Sequence, residues 1–240
     1  MVVGICNIFQ KPLSEQDGIF DAEPQIGDLP LALKINLWTP VALFYEKLWR
    51  WHSISILSFG RYSTKQELDL MIQLLQLQSG QRILDAGCSA GLYSRRILSA
   101  KADVEVHAVD FSLPFLKEAK RTSPHDGIPI SFTRADLQNL PYRDNTFNIV
   151  ACGGTPNEWR NPRIVLQEFS RILKTDGCLW VMYLSKATSA IGKLLQSLIS
   201  TAGIRFFDHN ELNKIAKEFN LKPVATNQYG VVTMTLFRIG

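Results

Sequence analysis

The stretch from Arg82 to Gly91, RILDAGCSAG, sets the reading of the whole chain. Arg82, Ile83 and Leu84 suit a buried strand, Asp85 closes it, and Gly87 and Gly91 bracket a tight turn into the helical pattern LYSRRILSA. Such a junction leaves backbone N–H groups and the positive end of a helix dipole at the carboxyl edge of a sheet, where open α/β folds bind nucleotides. Asp85 narrows the ligand class. A dinucleotide pyrophosphate would be repelled by a carboxylate at the strand tip, whereas a ligand carrying an ammonium and a sulfonium would be attracted. The order Gly87, Ser89, Gly91 also departs from the G-x-G-x-x-G spacing.

Strands and helices alternate outward from this loop. Ser63, with Gln66 at the capping-box position, opens a helix over KQELDLMIQLLQLQ that Gly80 stops. DVEVHAVD predicts a second strand ending at Asp110, with a helix from about Leu113 to Arg121 after it, and ISFTRAD predicts a third strand ending at Asp136. FNIVACGG reads as the fourth strand, followed by the loop GTPNEWRN and a helix from Pro162 to Leu173 that Thr175, Asp176 and Gly177 stop. CLWVMYLS is nearly continuous in apolar residues, as a strand buried on both faces should be. Ile191, Leu194, Leu195, Leu198 and Ile199 mark an amphipathic helix within 187–205, and Asp208 with Glu211 reads as a second capping box. LKPVATNQYG and VVTMTLFRIG are joined by a short turn and so form an antiparallel pair. The alternation predicts a parallel sheet with right-handed crossovers.

Upstream, residues 1–30 are acidic and broken by Pro12, Pro24 and Pro30, which predicts an irregular arm. From Leu31 the composition turns apolar and aromatic and holds three of the five tryptophans. Thr39 and Pro40 give an N-cap and N1 signal for a helix carrying Phe44, Tyr45, Leu48 and Trp49. Three roles compete for that helix: packing over the core, a lid over an apolar substrate, and a contact with a membrane surface.

Composition bounds the function classes. With 46% apolar residues in 240, one large core is expected, and a 20% charged fraction argues against disorder. Lys and Arg number 4 against 6 Asp and Glu in residues 1–60, and 22 against 16 in residues 61–240, so the formal charge of +4 comes from the second part. It is spread over helix faces rather than gathered into a patch, so no nucleic-acid partner is expected. Cys6, Cys88, Cys152 and Cys178 lie far apart, without C-x-x-C pairing or nearby histidines, which predicts reduced thiols, no metal site and a cytoplasmic setting. The N-terminus shows no secretory signal, and no run reaches the ~18 apolar residues of a membrane span.

The order of features resembles class I S-adenosylmethionine-dependent methyltransferases over roughly residues 63–240. ILDAGCSAG is similar to the family's first motif, VDFS to its second, ADLQNLPYRDNTFNIVACGG to its adenine-binding and fourth-strand region, and RILKTDGCLWV to the turn before strand five. Within the family the chain resembles the ubiquinone/menaquinone-biosynthesis type (methyltransferase type 11), and FYEKLWR resembles related plastid and cyanobacterial proteins. The resemblance implies an α/β, Rossmann-like, doubly wound and mostly parallel seven-stranded sheet with an antiparallel C-terminal pair. It implies an arm and aromatic helical cap over 1–60 and a methyltransferase domain over 61–240.

It further implies S-adenosyl-L-methionine as cofactor, bound by Asp85, Ala86, Gly87, Cys88 and Gly91 at the methionyl part, Asp110, Phe111 and Ser112 at the ribose and adenine ring, and Asp136 and Leu137 at the adenine edge, with Gly153 at the end of strand four also bordering the cofactor. Each aspartate has a plainer alternative as a helix cap. Ser89 stands where the family often has glycine. Gly153, Asn157, Glu158 and Trp159 would border the acceptor, with Trp49 and Leu195 from the two apolar flanking segments. N-P-P-Y is absent after strand four, which lowers the reading as a nucleic-acid amine methylase. A lipophilic or aromatic small molecule, prenyl-quinol-like, fits the apolar flanks better, with methylation at carbon or oxygen by in-line displacement. His52, Tyr62, Glu158 and Tyr183 are the candidates for a base that ionises a phenol-like acceptor, and His107 reads as structural. Methylation of RNA or protein, and a non-catalytic member that binds the cofactor or a partner, stay open as alternatives.

Overall fold

The computed structural model describes residues 8–24, 27–123, 130–208 and 210–240. Cys6 and the first residues of the N-terminus lie outside them.

The strand–loop–helix expected at Arg82 is present, as β3 (Arg82–Ala86) and α5 (Leu92–Ala100). It is preceded by β1 (Ser14–Gln16), β2 (Ile19–Asp21), α1 (Leu31–Ile35), α2 (Thr39–Tyr45), α3 (Trp51–Leu57) and α4 (Thr64–Leu75). It is followed by β4 (Glu105–Asp110), α6 (Leu113–Thr122), β5 (Ser131–Arg134), β6 (Phe147–Gly153), α7 (Pro162–Ile172) and β7 (Leu173–Leu184). Then come α8 (Ala190–Ser200), α9 (Glu211–Glu218), β8 (Leu221–Tyr229) and β9 (Val232–Ile239).

Among the described residues the sheet has nine strands rather than seven, in the order β1-β2-β5-β4-β3-β6-β7-β9-β8. The extra two come from the arm. β2 pairs parallel with β5, Phe20 opposite Thr133, and β1 folds back on it. The adjacent Ile19 and Phe20 are buried in the cores on opposite faces of the sheet, and Phe9 stacks on Tyr142, so apolar residues isolated in an acidic stretch suffice to dock it. The pairs β3–β4, β4–β5, β3–β6 and β6–β7 are parallel, whereas β7–β9 and β8–β9 are antiparallel as expected.

Alternate strand residues feed two cores. Leu84, Val109, Val150 and Val181 pack with Val165, Leu166 and Phe169 of α7 and Leu212 of α9 on one face. Ile83, Val106, Ile149 and Trp180 pack with Leu68 and Met71 of α4, Ile97 of α5 and Leu116 of α6 on the other. The chain runs outward from β3 through β4 to β5, then returns to β6 on the other side of β3. The strand order therefore reverses at β3, where the crevice of a doubly wound sheet opens.

Several boundaries differ from the sequence reading. Trp38, not Thr39, is the N-cap of α2, which places Pro40 in the first turn with no side-chain cap. The helix then widens into a π-helical turn at Glu46–Arg50, and Arg50 ends 7% exposed between the exposed Trp49 and Trp51. At α4 the Ser63–Gln66 capping box is present, but the helix ends on Gln76 in the left-handed region, ahead of Gly80. Thr175, Asp176 and Gly177 do not form a separate turn: they bulge out of β7, where Phe147 pairs Leu173 and Ile149 pairs Cys178. Half of the second capping box is present. Glu211 accepts from the Asp208 N–H at 2.8 Å, while the Asp208 carboxylate pairs with Lys186 instead and Asn210 is the cap residue.

Candidate cofactor site

The loop after β3 is held in a shape that few side chains allow. Gly87 has φ +70° and Gly91 φ +82°, and a Cβ on Gly87 would collide with the Thr155 side chain that arrives from the end of β6. The Thr155 hydroxyl donates to the Gly87 carbonyl at 3.2 Å, which locks the two loops at the switch point together. Ser89 sits at φ 46° and donates its N–H to Asp110 Oδ2 at 2.9 Å. The serine therefore sits at a positive φ that a glycine would take without strain.

A two-lobed cleft flanks this loop, with Gly87 and Ser89 lining both lobes. The larger lobe, about 730 Å³ including its open mouth, is lined by Asp110, Phe111, Asp136, Leu137, Glu158 and Trp159 among others. The smaller, about 340 Å³, takes Asp85, Cys88, Gly153, Glu46, Arg50 and Tyr93. Asp110 and Asp136 thus line the larger lobe and Asp85 the smaller, at the ends of successive strands or just beyond them, with Gly87 and Ser89 between the two.

Each aspartate also braces backbone. Asp85 Oδ2 accepts from the Ser94 N–H at 2.9 Å and the Ser94 hydroxyl at 2.6 Å, in the first turn of α5. Asp110 Oδ1 accepts from the Ser112 N–H and Oδ2 from the Ser89 N–H, both at 2.9 Å. Asp136 Oδ1 accepts from the Gln138 N–H at 2.9 Å, and Oδ2 pairs with Arg160. Capping and cleft-lining are therefore two uses of one side chain, because a carboxylate oxygen accepts more than one hydrogen bond. Burial pushes the Asp85 carboxyl up to about 6 against the hydrogen bonds from Ser94, and Asp110 up to about 6 against the N–H groups of Ser112, Ser89 and Phe111. A cation in the cleft relieves that penalty.

Ala86 is fully buried at the strand end, below the lining. Ser112 caps α6 and donates its hydroxyl to the Asn36 carbonyl at 2.5 Å, which draws the end of α1 over the cleft. Burial raises the Cys88 thiol well above its ordinary value, so it lines the lobe as a neutral group. At Gly153 a Cβ would overlap the Tyr93 hydroxyl, so the absent side chain is what lets Tyr93 lie against β6.

Of the four base candidates, Glu158 alone lines the cleft. Burial, then the Asp110 charge, pushes it up to about 8, partly offset by the Asn36 amide that donates to it at 3.1 Å. Tyr62 stacks on Tyr229 and donates to the Gln66 carbonyl; Tyr183 is buried against Phe207; His52 is exposed on α3. Among the expected acceptor contacts, Trp159 lines the larger lobe and packs edge-on against Phe169. Asn157 is 3% exposed, and its amide is spent on Leu184 N–H and the carbonyls of Leu184 and Arg205. It ties the end of β7 to the segment before α9. Trp49 and Leu195 lie on exposed helix surfaces outside both lobes. His107 is fully buried within β4 and meets Glu105 at 2.8 Å.

The cleft also contains residues that the sequence reading passed over: Asn36, Arg50, Tyr93, Phe115 and Thr155. Arg50 carried no local signal: flanking tryptophans do not fix which way a guanidinium turns, and it is Glu67 on α4 that draws it inward.

The family model described as methyltransferase domain (Methyltransf_11) matches residues 84–181, from within β3 into β7. A demethylmenaquinone methyltransferase from Paenarthrobacter aurescens is 33% identical over 124 residues, 52% of this chain and 46% of that protein. An uncharacterised chloroplastic methyltransferase from Arabidopsis thaliana is 25% identical over 184 residues, 72% of this chain and 51% of that protein. The chain spans about half the length of the curated relatives it matches. Among solved structures, the geranyl diphosphate C-methyltransferase of Streptomyces coelicolor, in complex with Mg2+, geranyl-S-thiolodiphosphate and S-adenosyl-L-homocysteine, superposes with a TM-score of 0.63 at 11% identity. That likeness covers 74% of this chain and 76% of that one, and it speaks to the fold.

Proposed function

We propose, from the premise that this chain carries a domain of the methyltransferase family, that it binds S-adenosylmethionine and methylates a lipophilic or aromatic small molecule at carbon or oxygen. The observation that carries this reading is the set of strand-end carboxylates, Asp85, Asp110 and Asp136, lining the two pockets that adjoin the Gly87 loop. The residues present fit the cofactor. Asp85 in the smaller lobe suits the ammonium group, Asp110 has lone pairs left for ribose hydroxyls, and Phe111 with Leu137 gives apolar walls for an adenine ring.

When bound, the cofactor supplies a methyl group on a sulfonium, an intrinsically good leaving group, so alignment carries much of the rate. Gly87 and Ser89 line both lobes, and Trp159, Leu33 and Phe115 give the larger lobe apolar walls. Glu158 is the group of this chain suited to take a proton from a phenol-like hydroxyl. Near its ligand-free value of about 8 it is mostly protonated at neutral pH, and a positive charge in the cleft brings it into the range of a working base.

Two observations support a lipophilic acceptor. Trp38, Phe44, Leu48, Trp49 and Ile56 on the cap, and Ile191, Leu194, Leu195 and Leu198 on α8, stay exposed. The chain just after α8 touches α1, at the start of the cap, where the Ala32 N–H donates to the Ala202 carbonyl at 3.0 Å. Apolar faces with Trp and Lys side chains suit the water–lipid boundary, so peripheral contact with a membrane surface belongs to the same proposal. Among the described residues no helix is long and apolar enough to cross a membrane.

Titration calorimetry with S-adenosylmethionine tests the cofactor: binding that Asp85→Ala and Asp110→Ala weaken is expected, and no binding to the unaltered chain would sink the reading. Incubation with methyl-labelled cofactor and a lipid extract tests the acceptor, and label in RNA or protein rather than lipid would overturn the substrate class.

A further inference from the structure

The smaller lobe holds a buried positive charge whose hydrogen bonds are only half used. Arg50 reaches it from the π-helical turn of the cap and is 7% exposed. Its Nη2 donates to both carboxylate oxygens of Glu67, each at 2.8 Å. Glu67, on α4 and fully buried, also accepts from the Tyr93 hydroxyl, to which Trp180 Nε1 donates at 3.3 Å. Glu67 is thus satisfied by one arm of the guanidinium and one phenol. The other arm, Arg50 Nη1, is buried without a hydrogen-bond partner among the described residues. Leaving a charged donor buried and unmatched is costly, so a guanidinium in this position implies an acceptor beyond those that the described residues provide.

Asp85 lines the same lobe, with one carboxylate oxygen held by Ser94. A guanidinium and a carboxylate in one small lobe match the two charges of an α-amino acid, carboxylate toward the first and ammonium toward the second. A lysine would serve such a pair less well, because only the planar fork offers separate donors to Glu67 and to a ligand.

We infer that Arg50 binds the α-carboxylate of the cofactor's amino-acid end, with Glu67 and Tyr93 orienting the guanidinium, so that an occupied lobe fastens the N-terminal cap to the domain. The inference rests on the cofactor reading above and adds a residue that lies outside 84–181, the segment matched by the family model.

The test is calorimetric, on the full chain, with two probes: S-adenosylhomocysteine and its decarboxylated form, S-adenosyl-3-thiopropylamine, which keeps the ammonium and lacks only the carboxylate. The unaltered protein is expected to prefer the carboxylate-bearing probe by roughly 10- to 100-fold, the range of one charged hydrogen bond. Arg50→Gln should abolish that preference while leaving the affinity for the decarboxylated probe within about threefold. Because Arg50→Gln strands the Glu67 charge, the same measurement on Arg50→Gln/Glu67→Gln, which removes both buried charges together, guards against loss of fold. A preference that persists in both variants overturns the assignment and leaves the cofactor reading standing, with Arg50 only a counter-ion to Glu67. Failure of the unaltered protein to bind S-adenosylhomocysteine overturns both.

Discussion

The cleft and the apolar surface beside it are made of opposite materials. In the cleft, Asp85, Asp110 and Asp136 each accept a backbone N–H, and the loops that carry them are tied across the switch point by Thr155 and Gly87. On the cap and α8, Trp38, Leu48, Ile191 and Leu194 are more than half exposed, and no residue of α8 is buried. The first region is held in shape by the chain's own hydrogen bonds. The second is a face left uncovered among the described residues. A side chain in the cleft therefore has several neighbours to disturb, while one on the face has few.

The largest effect of breaking that order is expected at Asp110. Removing it in Asp110→Ala deletes the acceptor for two N–H groups and for the proposed ribose contact, and should weaken S-adenosylmethionine by about 100-fold or more. A change under threefold in calorimetry would detach the carboxylate from binding. Next comes Gly153→Ala. The new Cβ would strike the Tyr93 hydroxyl and disturb its bond to Glu67, with an expected loss of ~1–3 kcal/mol in a denaturant titration. An unchanged midpoint would show that Tyr93 has room to retreat.

Proton linkage sharpens the comparison further, because the raised carboxyls belong to the cleft. Asp85 and Asp110 stand at about 6 against an ordinary 3.8, and Glu158 at about 8 against 4.5. Between those values the ligand-free folded state holds more protons than the unfolded one. Their contribution to stability is then fully present below the unfolded values and is lost as pH rises through about 6 and then about 8. A bound cation favours the ionised carboxylates, so the rise in Tm produced by S-adenosylmethionine should grow as pH is raised over the same interval. Thermal melts with and without ligand check this, and a pH-independent shift would contradict it.

Smaller effects separate the two regions most cleanly. Ser89→Gly relieves a positive φ in the loop and should stabilise the protein by ~0.5–1 kcal/mol in thermal denaturation, with cofactor affinity retained. Leu195→Ser and Leu198→Ser on α8 should alter stability by no more than ~0.5 kcal/mol, yet reduce recovery with vesicles in a flotation assay. Equal recovery of these variants and the unaltered protein would remove the membrane contact from the proposal.

Much of the cleft was legible in the chain because its parts are local. RILDAGCSAG specifies a strand, a left-handed turn and a helix start within a few residues, and Asp110 and Asp136 fall near strand ends that apolar runs announce. Glu158 and Trp159 were legible for the same reason, as they follow β6 directly. Tyr62, Tyr183, Trp49 and Leu195 were not separable by such reasoning. Whether an aromatic or apolar side chain turns toward a cleft or away from it depends on what packs on its other side, as Tyr229 does on Tyr62 and Phe207 on Tyr183.

By itself, the sequence determined the doubly wound sheet, the antiparallel pair at its end and the glycine loop with its strand-end carboxylates, because hydrophobic period and φ constraints act between near neighbours. Only the tertiary structure decided the rest. It docked β1 and β2 onto β5, consumed Asn157 in holding β7, and turned Arg50 inward to meet Glu67. Those outcomes depend on which buried polar groups find partners once distant segments meet, and no local pattern encodes a partner that lies across the fold.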